Sequence, residues 1–337
     1  MSISLCALAT ALICAALCAA LLGILLKTGL AWRLATDVPN ERSLHARPTP
    51  RVGGWGVIPV AVLAILLVAP SLWLIALGAA WLASVSQIDD RRGLPARVRF
   101  AAHFIAVLVL VIAYPAPVPW WALAVLAFLM LWLINLYNFM DGSDGLAGGM
   151  ALVGFGAYTG AALFGPAQMH ELGWASAAVA GAAGGFLLFN FHPAKIFLGD
   201  AGSIPSGFLA GALGYWGWRG GAWPIWFPAL VFSPFIGDAS VTLIRRLLRG
   251  EKFWQAHREH YYQRMVRLGT GHAATALTWY LVMLAGAILA LWALALSTAL
   301  QWGIVAAWAV ALILMGAAID VRWRRVESLT RQPEVKR

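Results

Sequence analysis

Apolar runs about 17 to 25 residues long recur along the whole chain, and this recurrence limits the fold more than any other feature. A helix of that length matches a hydrocarbon core of roughly 30 Å, where only helices or closed barrels satisfy every backbone polar group. Of 337 residues, 61% are hydrophobic and 11% charged, with a mean hydropathy of +0.78, so no segment remains for a separate soluble domain. The expected fold is an all-α integral membrane protein. One polytopic domain covers residues 1–320, and a basic tail covers 321–337.

Eleven spans are predicted, at about 4–26, 54–70, 71–88, 100–114, 119–138, 149–165, 172–190, 204–218, 223–243, 273–296 and 302–319. Short turns containing Pro70, Pro115 to Pro119, Gly165-Pro166 and Gly220-Gly221 join them on one side, and longer loops join them on the other. Of the 24 Lys and Arg, only Arg219 falls on the short-turn side. By the positive-inside bias the long loops are then cytoplasmic, which puts the N-terminus outside and the C-terminus inside. Thirteen of the 14 acids share that side, Glu171 being the exception. Topology does not require acids to gather there, so this face is the candidate catalytic one.

The net charge of +10 does not indicate nucleic acid, because the basic residues flank membrane spans. Cys6, Cys14 and Cys18 lie in the first apolar run without CxxC spacing, which argues against a disulfide framework or a zinc site. Ser4 to Leu26 reads as a retained helix rather than a cleaved leader. No internal repeat or matched pair of interrupted helices supports an inverted-repeat transporter.

Five polar clusters converge on the loop face. In Asn135 to Gly149, Asn135, Asn138, Asp141 and Asp144 recur every three residues, along one face if helical. Gly142, Gly145, Gly148 and Gly149 argue that the helix ends near Asp141. The first loop carries Arg42, His45, Arg47 and Arg51 before Gly53-Gly54, which reads as a solvated basic loop or as a phosphate-facing segment. Asp89-Asp90 precedes Arg91, Arg92, Arg97 and Arg99, an interfacial salt-bridge cluster or a phosphate site. Asp200, between Gly199 and Gly202, suits either a helix cap or a Mg²⁺ ligand, with Lys195 nearby. His257 and His260 share a charged loop, and Asp238 needs a partner inside the bundle. Acids for a metal and bases for phosphates together suggest phosphoryl transfer at a lipid surface.

These residues resemble the polyprenyl-phosphate N-acetylhexosamine-1-phosphate transferases over nearly the whole chain. The motifs are Pro-Asn-x-Arg-Ser-x-His-x-x-Pro-Thr-Pro-Arg-x-Gly-Gly from Pro39, Asp89-Asp90, Asn-x-x-Asn-x-x-Asp-Gly-x-Asp-Gly-Leu-Ala from Asn135, Phe-Leu-Gly-Asp-Ala-Gly-Ser from Phe197, and His-Arg-x-His at 257–260. The resemblance implies transfer of a sugar-1-phosphate from a UDP-sugar to undecaprenyl phosphate in a bacterial inner membrane, with release of UMP. It implies Mg²⁺, or Mn²⁺ in its place, held by Asn138 and Asp200. Asp89, Asp90, Asp200 and His257 would be catalytic. Arg51, Arg99, Asn135, Asp141, Asp144, Lys195, Arg258 and His260 would bind substrate. Expected partners are undecaprenyl phosphate, the UDP-sugar and membrane lipid, with a homodimer as an open expectation. Tyr261 and Tyr262, where many relatives carry further histidines, look like the O-antigen-initiating branch, which uses N-acetylhexosamines or their 6-deoxy forms. The alternative class is a transporter or flippase of a phosphorylated sugar or lipid, whose site belongs near the bilayer midplane.

Overall fold

The computed structural model describes residues 2–39, 47–252 and 257–330. The loop residues Arg42 and His45 and the tail residues Arg331, Lys336 and Arg337 lie outside that range. α1 (Ile3–Lys27) starts at Ser2, whose hydroxyl accepts the Leu5 N–H at 3.3 Å. The following segment, expected as loop, contains α2 (Leu30–Leu34) and a two-residue antiparallel hairpin of β1 (Thr36–Asp37) and β2 (Thr49–Pro50). Then come α3 (Gly53–Val68), a 3₁₀ turn at Pro70–Leu72, α4 (Trp73–Arg92), α5 (Ala96–Ala113) and α6 (Trp120–Phe139). α7 (Leu146–Phe164), α8 (His170–Asn190) and α9 (Asp200–Arg219) follow.

The segment expected as a single ninth span is broken at Phe232 into α10 (Trp226–Val231) and α11 (Ser233–Leu248). Pro234 has no N–H to give the preceding turn, and the Ser233 hydroxyl takes up the freed Leu230 carbonyl at 2.6 Å. α11 also runs five residues beyond the expected boundary at 243. A short α12 (Tyr261–Met265) and a π turn at Val266–Thr270 lead to α13 (His272–Ala293). α14 (Thr298–Thr330) continues past residue 320, so Arg322, Arg324 and Arg325 of the expected tail are helical.

All eleven predicted segments fall on helices, and among the described residues eight helices are long and apolar enough to cross a membrane. The other three segments are the 16-residue α3, the Gly- and Ser-bearing α9 and the broken α10–α11. The central element is α9, buried from Ala201 to Tyr215 and packed against α3, α4 and α6. Because it is enclosed by protein, it needs less hydropathy of its own than the lipid-facing helices.

The contact that sets the site is the approach of α3 to the first turn of α9. The N–H groups of Gly53 and Gly54 donate to the carbonyls of Phe197 and Leu198, both at 2.9 Å, and the Phe197 N–H donates to Pro50 at 2.8 Å. A β-carbon on Gly54 would lie 2.5 Å from backbone atoms of Ala201 and Gly202, so only glycine permits this spacing.

Candidate active site

Asp200 opens α9, following Gly199 at φ +72°, a positive-φ conformation that glycine adopts readily and that turns the chain into the helix. Its Oδ1 accepts from Arg51 Nη2 at 3.0 Å and from Asn138 Nδ2 at 3.2 Å, and Asn138 also donates to Ser203 Oγ at 2.9 Å. Thus β2–α3, the end of α6 and the start of α9 meet at one carboxylate. α6 ends at Phe139, as the glycines after Asp141 imply, and Asp141 accepts the Gly199 N–H. Desolvation pushes the Asp141 carboxyl well above the usual carboxylate range, opposed by Arg51 and reinforced by the charge of Asp200.

The adjacent acids at the end of α4 point apart, as neighbours on a helix must. Asp89 accepts from the Leu94 N–H at 2.6 Å and from Arg99 Nη1 at 3.1 Å. Asp90 Oδ1 lies 3.9 Å from Arg51, so it joins the Asp200 group.

Three expected substrate residues are placed otherwise. Asn135 donates to Leu131 of its own helix at 2.7 Å. Asp144 is buried and accepts from His192 Nδ1 at 2.6 Å and from the Ala194 N–H at 3.1 Å, so its carboxylate pins the turn before α9. Sequence spacing put these residues on one face, but the helix ends between them and the later pair follow the turn. Lys195 is exposed, and its N–H donates to Phe189 at 2.7 Å.

The expected histidine cluster also divides. His260 is buried against Asp238 at 3.2 Å, and Asp238 accepts the N–H groups of Tyr261 at 2.8 Å and Tyr262 at 3.0 Å. This is the partner that a buried Asp238 requires, and the carboxylate caps α12. Tyr262 donates its hydroxyl to the Phe139 carbonyl at 3.1 Å, which docks the loop on the end of α6 beside Asn138. His257 is half-buried, with its ring 4.9 Å from that of His260. Arg258 gives its carbonyl to Arg267 at 3.2 Å. Burial, with His260 and Arg246 nearby, lowers the His257 pKa to about 4 from an ordinary 6.5. The folded state therefore binds fewer protons than the unfolded chain between those values, and stability falls as pH drops through that window. His257→Gln is expected to flatten the acid-side loss of the thermal midpoint by about 2–4 °C, measured in detergent from pH 7 to 4.5.

Asp320, on α14, carries weight that no motif signals. Buried at 5% exposure, it accepts from Arg245 at 2.6 Å, Arg264 at 2.7 Å and the Tyr261 hydroxyl at 3.3 Å. It ties α11, α12 and α14 together beneath the His257 loop. Asp320→Asn leaves Arg245 without an acid partner among the described residues and Arg264 with only the longer contact to Glu259 at 3.8 Å, and is expected to cost about 2–3 kcal/mol. Faster proteolysis at 249–260 is the accompanying check. The only sequence signal was an acid closing an apolar run. His103 on α5 was likewise missed, a buried histidine close enough to Arg99 and Asp200 to feel both charges.

Among the described residues no three His, Cys, Asp or Glu side chains form a metal cage. The donor set still fits Mg²⁺, which is commonly held by one or two carboxylates and completed by substrate phosphates and water. Asp200 and the Asn138 carboxamide are oxygen donors, Asp90 and Asp141 crowd the same point, and Arg51 is the cation between them. The group holds more acid than base.

The glycosyl transferase family 4 model matches residues 72–217, which include α4 to α9 and so Asp89, Asp90, Asn138, Asp141 and Asp200. The probable undecaprenyl-phosphate N-acetylglucosaminyl 1-phosphate transferase of Bacillus subtilis is 27% identical over 288 residues, covering 80% of this chain and 79% of that one. The undecaprenyl-phosphate alpha-N-acetylglucosaminyl 1-phosphate transferase of Yersinia pestis is 29% identical, covering 89% and 87%. The decaprenyl-phosphate N-acetylglucosaminephosphotransferase of Mycobacterium leprae is 30% identical over 310 residues, covering 75% of each chain. With that likeness spanning membrane helices and the polar end together, the chain belongs to the polyprenyl-phosphate N-acetylhexosamine-1-phosphate transferases of glycosyl transferase family 4.

Proposed function

We propose that this protein transfers the sugar-1-phosphate of a UDP-sugar to undecaprenyl phosphate, at the cytoplasmic face of a bacterial inner membrane. The observation that carries the reading is the meeting of Arg51, Asn138 and Asp200 at one end of an apolar bundle, where a soluble nucleotide and a lipid-borne phosphate can approach together. An oxygen of the lipid phosphate attacks the phosphorus that bears the sugar. The bond from that phosphorus to the bridging oxygen of the diphosphate breaks on the far side, and UMP leaves carrying that oxygen. The product is undecaprenyl-diphospho-sugar.

Both substrates are anionic, so the main task is to hold like charges together. Arg51 supplies one fixed positive charge, and Arg99, aligned by Asp89, supplies a second toward the lipid side. Asp200 and Asn138 would hold Mg²⁺, or Mn²⁺ in its place, which when bound supplies Lewis-acid neutralisation of the diphosphate. Gly199 and the turn at Asp141 bring backbone close to the nucleotide. His257, held neutral, offers the donor a hydrogen bond without adding charge. The sugar is an N-acetylhexosamine or its 6-deoxy form, and the product starts a cell-surface polysaccharide of O-antigen type.

The test is purified protein in detergent with undecaprenyl phosphate, Mg²⁺ and a panel of UDP-sugars, read by mass spectrometry for the lipid diphosphate and by exchange of labelled UMP. Formation of one lipid-diphospho-sugar is the result expected. Failure with every sugar, together with passage of a labelled sugar phosphate into proteoliposomes, overturns this reading in favour of transport.

A further inference from the structure

His103 stands on α5 one helical turn after Arg99, so the two side chains share a face about 6 Å apart along the axis. Its residue is only 6% exposed, its Nδ1 is buried with no hydrogen-bond partner, and the charges of Arg99 and Asp200 both reach the ring. Gln87 Nε2, Arg246 Nε and Arg264 Nε are also unpartnered among the described residues, but each of those side chains is held through another of its atoms, and two further buried residues are paired. Asn190 bonds to Gly145 and Ile196, and Asp238 bonds to Tyr261, Tyr262 and His260. A buried polar group without a partner in a membrane helix is costly and marks a site that a ligand completes.

The position on α5 selects the ligand. Because α5 begins at the loop end with Ala96 and Arg99, His103 lies deeper in the bilayer than the arginine. The nucleotide sugar enters from water through the loops that carry Asp141 and His257. A phosphate that reaches the inner turn of α5 must instead be anchored by a hydrocarbon chain. We propose that His103 binds the phosphate of the lipid acceptor, donating a ring N–H to a phosphate oxygen beside Arg99. The inference rests on the prenyl-phosphate transferase reading and names a binding residue that no motif marks. Asp89 holds Arg99 from the loop side, and His103 closes the same phosphate site from the membrane side.

The experiment compares wild type, His103→Leu and His103→Gln in detergent with undecaprenyl phosphate and UDP-N-acetylglucosamine, or whichever UDP-sugar the panel selects. The expected result is a KM for undecaprenyl phosphate raised about tenfold in His103→Leu, with the KM for the UDP-sugar within twofold, and most of the acceptor affinity restored in His103→Gln. The rise in thermal midpoint on adding undecaprenyl phosphate alone, without nucleotide or metal, is expected in wild type and reduced in His103→Leu. An unchanged acceptor KM in His103→Leu overturns the inference, as does a loss in both variants that follows a lowered thermal midpoint. If wild type turns over and His103→Leu matches it, only this inference fails. If wild type forms no lipid diphosphate, the proposed function fails with it.

Discussion

Asp200→Asn is expected to lower UMP exchange and lipid-diphosphate formation about 10³-fold, or roughly 4 kcal/mol of transition-state stabilisation, while leaving the protein folded. The asparagine carbonyl can still accept from Arg51 and Asn138, so the junction of α3, α6 and α9 keeps its hydrogen bonds. What disappears is a negative charge in a group that already crowds Asp90 and Asp141. The thermal midpoint should therefore hold or rise, the usual sign that a carboxylate is kept for chemistry. Asp144→Asn is the contrasting variant. Its carboxylate is occupied by His192 and the Ala194 N–H, so weakening it should lower the midpoint and cost activity about tenfold or less. Retention of more than a tenth of wild-type exchange in Asp200→Asn removes Asp200 from the metal site.

The contrast between these two aspartates also separates what spacing conveys from what it does not. The alternation of apolar runs and short turns located the helices, because hydropathy over about 20 residues measures whether a segment must leave water. It also located the end of α6, since four glycines cannot extend a helix without cost. The break at Phe232 was hidden. An average over 223–243 is apolar on both sides of Pro234, and the break depends on which carbonyl Ser233 satisfies. The threefold repeat sets Asp144 and Asn135 on one face if helical, and the resemblance implies that both bind substrate. Their partners, His192 and Leu131, are fixed by where the helix stops and how the turn returns. His103 and Asp320 carried almost no local signal. Each is a single polar residue in or closing an apolar run, and its meaning lies in groups that only the packed bundle brings near: Asp200 for the first, and Arg245 and Arg264 for the second.

The His257 loop illustrates the same dependence on distant elements. It hangs from three anchors on three different helices: Asp238 on α11, the Phe139 carbonyl on α6 and Asp320 on α14. Arg246 and Arg249 clamp Glu259 from below. Such bracing, together with the buried rings of Tyr261 and Tyr262, holds the loop against the end of α6 that carries Asn138. The half-exposed Arg249–Glu259 and Arg249–Glu251 pairs are the part of this bracing held by charge alone, so their order should weaken with ionic strength more than that of the bundle.

Gly54→Ala is expected to lower turnover about 10²-fold, through geometry alone. The added methyl would sit 2.5 Å from the carbonyl carbon of Ala201 and the nitrogen of Gly202, backbone atoms that cannot rotate aside. Either α3 moves outward, breaking the Gly53–Phe197 and Gly54–Leu198 hydrogen bonds, or the first turn of α9 is pushed inward. Both shift Asp200 relative to Arg51 and Asn138, and a displacement near 1 Å at a phosphoryl-transfer site costs about 10²-fold in rate. Overpacking adds about 1–3 kcal/mol of destabilisation. Unlike Asp200→Asn, then, Gly54→Ala should lose activity and thermal midpoint together. Activity lost with an unchanged midpoint would mean that the strain is absorbed locally at Asp200. Full activity would show that the close approach of α3 to α9 does not set the geometry of the site.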